Sequence, residues 1–401
     1  MSEKVMDYSQ ILGKTAQKIP PSGIRKFFSV VEDIPDAISL GVGEPDFVTP
    51  WEIRDAAIKS VQKGYTAYTS NSGLKPLRDG ISDYLSSRFG VRCDSADIIV
   101  TIGASEAIDV TLRALLDAGD EVIVPDPSFV SYSPVITLAG GVAVPLACRA
   151  ENGFKPTAEE LERAVTERTK AVILPFPNNP TGTVLDKGEL NALCNVIKKH
   201  NLIAVSDEIY AELTYSGKHV SAAAIEGMQE RTVLISGFSK AFAMTGWRIG
   251  YVCAPREIIS VMLKIHQYAI MCAPTAAQYA ALAALTTGKA NGYAAVEEMK
   301  EKYDMRRRYI VNELNSMGLA CPDPAGAFYA FPSVRSLGIT GEEFAEKLLK
   351  SKHVAVVPGD AFGAAGKYHV RMSYATGMNS LREALKRIRE FVGVATKQSH
   401  T

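Results

Sequence analysis

Short runs of apolar, mostly β-branched residues alternate with longer amphipathic stretches along most of the chain. Between about residues 51 and 285 the runs are Ile98-Ile99-Val100, Glu121-Val122-Ile123-Val124, Ala171-Val172-Ile173-Leu174, Leu202-Ile203-Ala204-Val205 and Thr232-Val233-Leu234-Ile235. Helical spacing covers 51–63, 74–89, 104–117, 157–166 and 186–200. A continuous apolar run that repeatedly follows a helix is the pattern of a strand buried on both faces. It predicts a largely parallel sheet covered by helices. Beyond residue 290 the pattern changes: a long charged helix over 295–317 precedes short strands at Ala327–Phe331, Val354–Val357 and His369–Tyr374, with helices at 341–351 and 378–392. This is a smaller α+β unit, expected to pack with an N-terminal arm. The expected division is an arm over 1–45, a large domain over 46–290 and a small domain over 291–401.

Composition narrows the class. Lys+Arg and Asp+Glu are both 44 in a chain of 401 residues, so no overall basic excess points to nucleic acid as a partner. Hydrophobic residues make up 47% and charged residues 22%, the balance of an ordinary globular protein with a sizeable core. The cysteines (Cys93, Cys148, Cys194, Cys253, Cys272, Cys321) are scattered without a CxxC pair, which argues against structural zinc and against a disulfide framework. The N-terminal stretch MSEKVMDYSQILGKTAQ lacks the apolar core of a signal peptide. The most apolar segment, Ala273 to Leu285, is interrupted by Thr275, Gln278 and Tyr279, too polar for a membrane span. The expectation is a soluble, cytoplasmic protein with no membrane association.

In a parallel sheet ligands sit beyond the carboxyl ends of the strands, so residues directly after the apolar runs are candidates for chemistry. Lys240 follows Thr232–Ile235 through a Gly-Phe-Ser turn, and Arg248 lies eight residues on. Lys240 reads either as a solvated surface lysine or as an amine whose basicity is lowered by burial and a nearby cation, the condition for Schiff-base chemistry. Asp207 follows Leu202–Val205, with Tyr210 three residues later; the acid is either a helix cap or the partner of a protonated ring nitrogen. Asn178-Asn179-Pro180-Thr181-Gly182 is a turn that can also carry an amide to a ligand. Gly103-Ala104-Ser105 opens a helix with small residues, which lets backbone N–H groups approach a phosphate. Arg371, alternating with His369 and Ser373, is either a sheet-face ion pair or a fork for a carboxylate.

Taken in order, the segments SGIRKF, LGVGEPDF, YTAYTSNSGLKPLR, TIGASEAI, PDPSFVSY, NNPTG, SDEIY, SGFSKAFAMTGWRIGY, GAFYAF and VRMSYA resemble the fold-type I pyridoxal-phosphate enzymes. Within them the chain is most similar to the class I and II aminotransferases of the aspartate and aromatic kind. The resemblance runs from roughly residue 23 to 392. It implies an α/β fold of the aspartate aminotransferase type: a large domain with a mostly parallel seven-stranded sheet, and a smaller α+β domain. It implies pyridoxal 5'-phosphate as cofactor, held covalently by Lys240, which would also shuttle the substrate proton. Asp207 would pair with the ring nitrogen, and Tyr210 and Asn179 would bind the ring oxygen. Ala104, Ser105, Ser239 and Arg248 would hold the phosphate, with Phe129 stacked on the ring. Tyr68 would reach the phosphate of a neighbouring subunit, implying a homodimer with shared sites. Arg371 would grip the substrate carboxylate, with Asn179 and a backbone contact from Gly43 beside it. The implied reaction moves an amino group between an L-amino acid and a 2-oxo acid such as 2-oxoglutarate in a ping-pong cycle.

Two positions depart from the family pattern. Where many members carry Ser-x-Ser-Lys, this chain reads Ser236-Gly237-Phe238-Ser239-Lys240, and Ser105 stands where some aspartate-specific bacterial members carry lysine. SGIRKF and SGFSKAFAMTGWRIGY resemble a bacterial subgroup with aromatic, alanine or N-acetyl-diaminopimelate activity, which favours an aromatic or broad substrate range. A carbon–sulfur β-lyase or an aminocyclopropane-carboxylate-synthase-like enzyme on the same scaffold keeps the same cofactor residues and is the alternative; SGIRKF and GAFYAF favour the transaminase. A regulator fused to a DNA-binding module would need a basic winged-helix segment before Ser22, for which this sequence has no room.

Overall fold

The computed structural model describes residues 6–21, 23, 34 and 36–398. The segment SGIRKF at 22–27 therefore lies outside the described residues, except for Gly23. In chain order the first eight strands are β1 (Ile38–Ser39), β2 (Ile98–Thr101), β3 (Glu121–Asp126), β4 (Val142–Ala147), β5 (Thr169–Leu174), β6 (Ile203–Asp207), β7 (Thr232–Gly237) and β8 (Gly250–Cys253). Strands β2 to β8 form one seven-stranded sheet in the order β2-β8-β7-β6-β5-β3-β4. Neighbours from β4 to β7 are parallel, and β8 alone runs antiparallel between β7 and β2.

Each run predicted for this sheet became a strand, lengthened by one or two residues at an end although β6 leaves out Leu202, because its alternate side chains are buried on opposite faces. Ile99, Val122, Ile173, Val205 and Ile235 pack on one face against the helices Gly103–Leu115 and Arg256–Ala269. Val172, Leu174 and Ala204 pack on the other against Lys187–Lys199. That helix opens with a capping box, Asp186 and Glu189 satisfying each other's backbone N–H. Two strands escaped the sequence pattern. Edge strand β4 leaves Val142 exposed and carries Pro145, which an edge tolerates and an interior strand does not. Strand β8 has only four residues and begins with a glycine.

A second core holds the remaining strands: β9 (Tyr329–Ala330), β10 (Val354–Ala355), β11 (Val357–Pro358) and β12 (Val370–Ser373). Antiparallel β11-β12-β9 packs with the helices Ala294–Ser316, Gly341–Lys352 and Met378–Gln398 through Phe344, Leu348, Leu385 and Tyr374. Part of the N-terminal segment joins it. Strand β1 pairs in parallel with β10, Leu40 is buried in this core, and the Ser373 N–H donates to Leu40 O at 2.6 Å.

One close approach ties sheet to turn. A Cβ on Gly250 would lie 2.6 Å from the backbone carbon of Gly103, and a Cβ on Gly237 would lie 2.9 Å from Gly250 Cα. These neighbours are backbone and cannot rotate away. Gly250→Ala should therefore cost about 1–3 kcal/mol, seen as a lower denaturant midpoint at unchanged slope; an unchanged midpoint would mean the turn at 103–104 moves without penalty.

Candidate active site

A cavity of about 310 Å³ opens at the carboxyl ends of β5, β6 and β7. Gly43, Ala104, Ser105, Phe129, Asn179, Asp207, Tyr210, Ser239, Lys240, Arg248 and Arg371 all line it. Of the residues expected from sequence, Tyr68 alone does not; it is 82% exposed.

Lys240 is not a surface lysine. Its Nζ donates to Gly43 O at 2.6 Å and lies 5.7 Å and 5.8 Å from the ring centres of Tyr210 and Phe328. Burial pulls its pKa down to about 8; Arg371 and, more weakly, Arg248 act in the same direction, against Glu44 and Asp207. The sequence named Arg248 as the relevant cation, but desolvation dominates and Arg371 contributes more. A neutral amine, the nucleophilic form, is thus accessible near pH 8.

Asp207 ends β6 and is buried. Its Oδ2 accepts from the Tyr132 hydroxyl at 2.7 Å and its Oδ1 from the Ile209 N–H at 3.2 Å. The cap-like bond and the cavity position coexist. Burial pushes its pKa up to about 6, which those two hydrogen bonds oppose. Phe129, from the same PDPSFVSY segment, meets Tyr132 edge-on with ring centres 5.6 Å apart.

The opposite end suits an anion. The helix Gly103–Leu115 points its N-terminus into the cavity at Ala104 and Ser105, offering unpaired backbone N–H groups and the positive end of its dipole. Gly103 has φ +70° and a Cβ there would lie 2.7 Å from Arg248 Nη2, so glycine makes room for the guanidinium. Arg248 is itself left-handed at φ +50°, and its Nη1 donates to Thr245 O at 3.0 Å. Ser239 is buried at this end. The departure Ser236-Gly237 has a steric origin: Gly237 faces Gly250 where a side chain does not fit, and Ser236 Oγ turns away to Glu208 O.

Arg371, on β12, is 2% exposed and, among the described residues, makes no sheet-face ion pair of the kind one reading expected. It donates instead to neutral oxygens, Asn179 Oδ1 at 2.9 Å and Gly41 O at 2.5 Å, and its Nε has no partner. Its guanidinium carbon lies 4.5 Å from the Tyr329 ring centre and 4.8 Å from that of Phe362. Tyr329 also exchanges a hydrogen bond with Tyr210, hydroxyl to hydroxyl, at 2.8 Å. Sequence reasoning assigned no role to Tyr132, Tyr329, Glu44 or Thr245, although all line the cavity and lie inside quoted segments. Thr245 donates to Glu44 Oε2 at 3.2 Å, a contact across 201 positions that spacing does not reveal.

The arrangement sets a half-buried amine of lowered basicity between a carboxylate, an anion cradle and a guanidinium that has only neutral partners. The sequence profile of aminotransferase class I and II matches residues 35–388. The chain is 53% identical over 386 residues to the protein YugH of Bacillus subtilis, covering 96% of this chain and 99% of that one. It is 45% identical over 372 residues to an aspartate aminotransferase of Pyrococcus abyssi, covering 92% and 95%. The crystal structure of the aromatic aminotransferase from Pyrococcus horikoshii superposes with a TM-score of 0.88 at 43% identity, covering 93% of this chain and 99% of that one. Profile, relatives and architecture agree on one assignment: this chain belongs to the class I and II aminotransferases and is an aminotransferase.

Proposed function

We propose that the protein is a pyridoxal-phosphate-dependent transaminase that moves the amino group of an L-amino acid to a 2-oxo acid in two half-reactions. The observation that carries this is the convergence of Lys240, Asp207 and Arg371 on one cavity, each buried group lacking the partner that cofactor or substrate would provide. Asp207 accepts only neutral donors, so a cationic ring N–H is its missing counter-charge. The Gly103 turn, Ser105, Ser239 and Arg248 suit a phosphate, and Phe129 offers a flat apolar side to a ring. Tyr210 and Asn179 are placed to bond a ring oxygen. Pyridoxal phosphate, when bound, supplies the electron sink that lets the substrate Cα proton leave. Lys240 then takes and returns that proton, and Arg371, with the Gly43 backbone beside it, holds the carboxylate.

The substrate range we propose is aromatic or broad, reaching dicarboxylic amino acids. Ile108, Phe129, Pro175 and Pro177 make much of the wall apolar, and the relatives' names span aspartate and aromatic donors. We also propose a cytoplasmic homodimer in which Tyr68 completes the partner's phosphate site. Tyr68 is exposed, as are Tyr65, Tyr268 and Met271, and Asn71 Nδ2, three residues after Tyr68, donates to Met271 O at 2.8 Å. The unpaired state of all six cysteines suits a reducing compartment. The division at about 45 and 290 belongs to the same proposal, supported by the separate core around β9, β11 and β12.

Mixing the yellow enzyme with single amino acids, without any oxo acid, tests the reaction. Stoichiometric oxo acid and pyridoxamine phosphate are expected; release of pyruvate and ammonia from cysteine or cystathionine would make it a lyase. Lys240→Ala should lose the visible band while keeping its fold, and full activity in that variant would remove Lys240 from the chemistry. Arg371→Leu should weaken KM for every donor by the roughly 2–5 kcal/mol lost when one partner of a buried charge pair is removed; a defect limited to one donor would make Arg371 a side-chain selector. Because the Lys240 pKa is lowered to about 8, the protonated amine gives way to the nucleophile as pH rises through that value. The rate at which the apoenzyme captures pyridoxal phosphate should accordingly level off above about pH 8, whereas a rate still climbing through about pH 10 would indicate an unperturbed lysine.

A further inference from the structure

Tyr329 has no part in the functional reading above, yet the site is built around it. It is 1% exposed on β9, opposite Ser373 of β12. Arg371 is two positions from Ser373, so it is the diagonal cross-strand neighbour of Tyr329, within reach of long side chains on one sheet face. That register lays the guanidinium over the Tyr329 ring at 4.5 Å. The hydroxyl at the other end of the same ring bonds Tyr210 at 2.8 Å. It also presses on the segment that holds Lys240: a Cβ on Gly43 would lie 2.5 Å from the Tyr329 oxygen, and Gly43 O is the acceptor of Lys240 Nζ.

We infer that Tyr329 is a positioning residue that fixes the Tyr210 hydroxyl relative to the Arg371 guanidinium, acting on the first through its hydroxyl and on the second through its ring. The inference rests on the proposed reading, in which Tyr210 serves the cofactor and Arg371 the substrate. The two actions are chemically separable. A hydroxyl that donates to Tyr210 polarises it and strengthens its own donation to a ring oxygen, since chained hydrogen bonds reinforce one another. A ring beneath a desolvated guanidinium attracts it electrostatically and limits its swing. Phe362 covers the other contact at 4.8 Å but carries no hydroxyl and makes no bond to Tyr210.

Two substitutions separate the halves in the cofactor-loaded enzyme. Tyr329→Phe removes only the hydroxyl. A weaker Tyr210 donor leaves the ring oxygen more basic, which favours the proton shared with the lysine-derived nitrogen. The pH midpoint of the visible absorbance change should therefore rise by roughly half a unit, while KM for amino donors stays within about twofold. Tyr329→Leu, or Tyr329→Met if the leucine chain does not fold, removes the ring as well and should raise KM for every donor about tenfold. A midpoint unmoved in Tyr329→Phe, or a KM unmoved in the ring-deleted variant, would overturn the inference and leave Tyr329 a packing residue. A wild-type enzyme with no titrating visible band would instead remove the cofactor reading on which it rests.

Discussion

Burying Lys240, Asp207 and Arg371 around one cavity with mostly neutral hydrogen-bond partners is the demanding feature of this molecule. A charge taken from water without a counter-ion is expensive, and each of the three is held by geometry rather than by an opposite charge. Lys240 rests on a carbonyl, Asp207 on a tyrosine and a backbone N–H, and Arg371 on an amide, a carbonyl and two rings. Everything that brings these groups together has to be rigid for that reason. The parallel sheet fixes Asp207 and the approach to Lys240 at strand ends, and the antiparallel β11-β12-β9 sheet fixes Arg371. The unmet valences are then what ligands fill.

The glycines near the site show how narrow the tolerance is. Gly103, Gly237 and Gly250 form a stack of backbone approaches in which no side chain fits. That stack sets the distance between the turn at Gly103 and strand β8, which begins two residues after Arg248. It also explains a serine lost from the familiar pattern before the lysine. The sequence shows the substitution, but only the facing strand shows the reason.

Much of the fold was legible because burial on both faces writes itself as unbroken apolar runs, and β2, β3, β5, β6 and β7 were read that way. Strand β4 was not, because an edge strand has one wet face, and β8 was not, because Gly250-Tyr251-Val252-Cys253 opens on a glycine and holds a single β-branched residue. The site residues were legible by resemblance more than by spacing: Lys240, Asp207 and Arg371 each admitted a plain structural reading on their own segment. Tyr132 and Tyr329 remained silent because a tyrosine in an apolar segment looks like packing. Their meaning is a contact with Asp207, Tyr210 or Arg371 from more than 40 positions away.

The pairing of β1 with β10 bears on the order in which the enzyme becomes competent. Residues 38–41 leave the ribosome early, with the carbonyl of Gly41 already in place along the chain. Their partners, β10 at Val354–Ala355 and Arg371, are made more than 300 residues later. Once Cys253 has been made the main sheet has all seven of its strands, whereas the cavity wall that carries Arg371 still has no scaffold. Synthesis therefore yields the strand-end side of the cavity first and closes the cavity with Arg371 only when the N-terminal segment and the C-terminal strands have met.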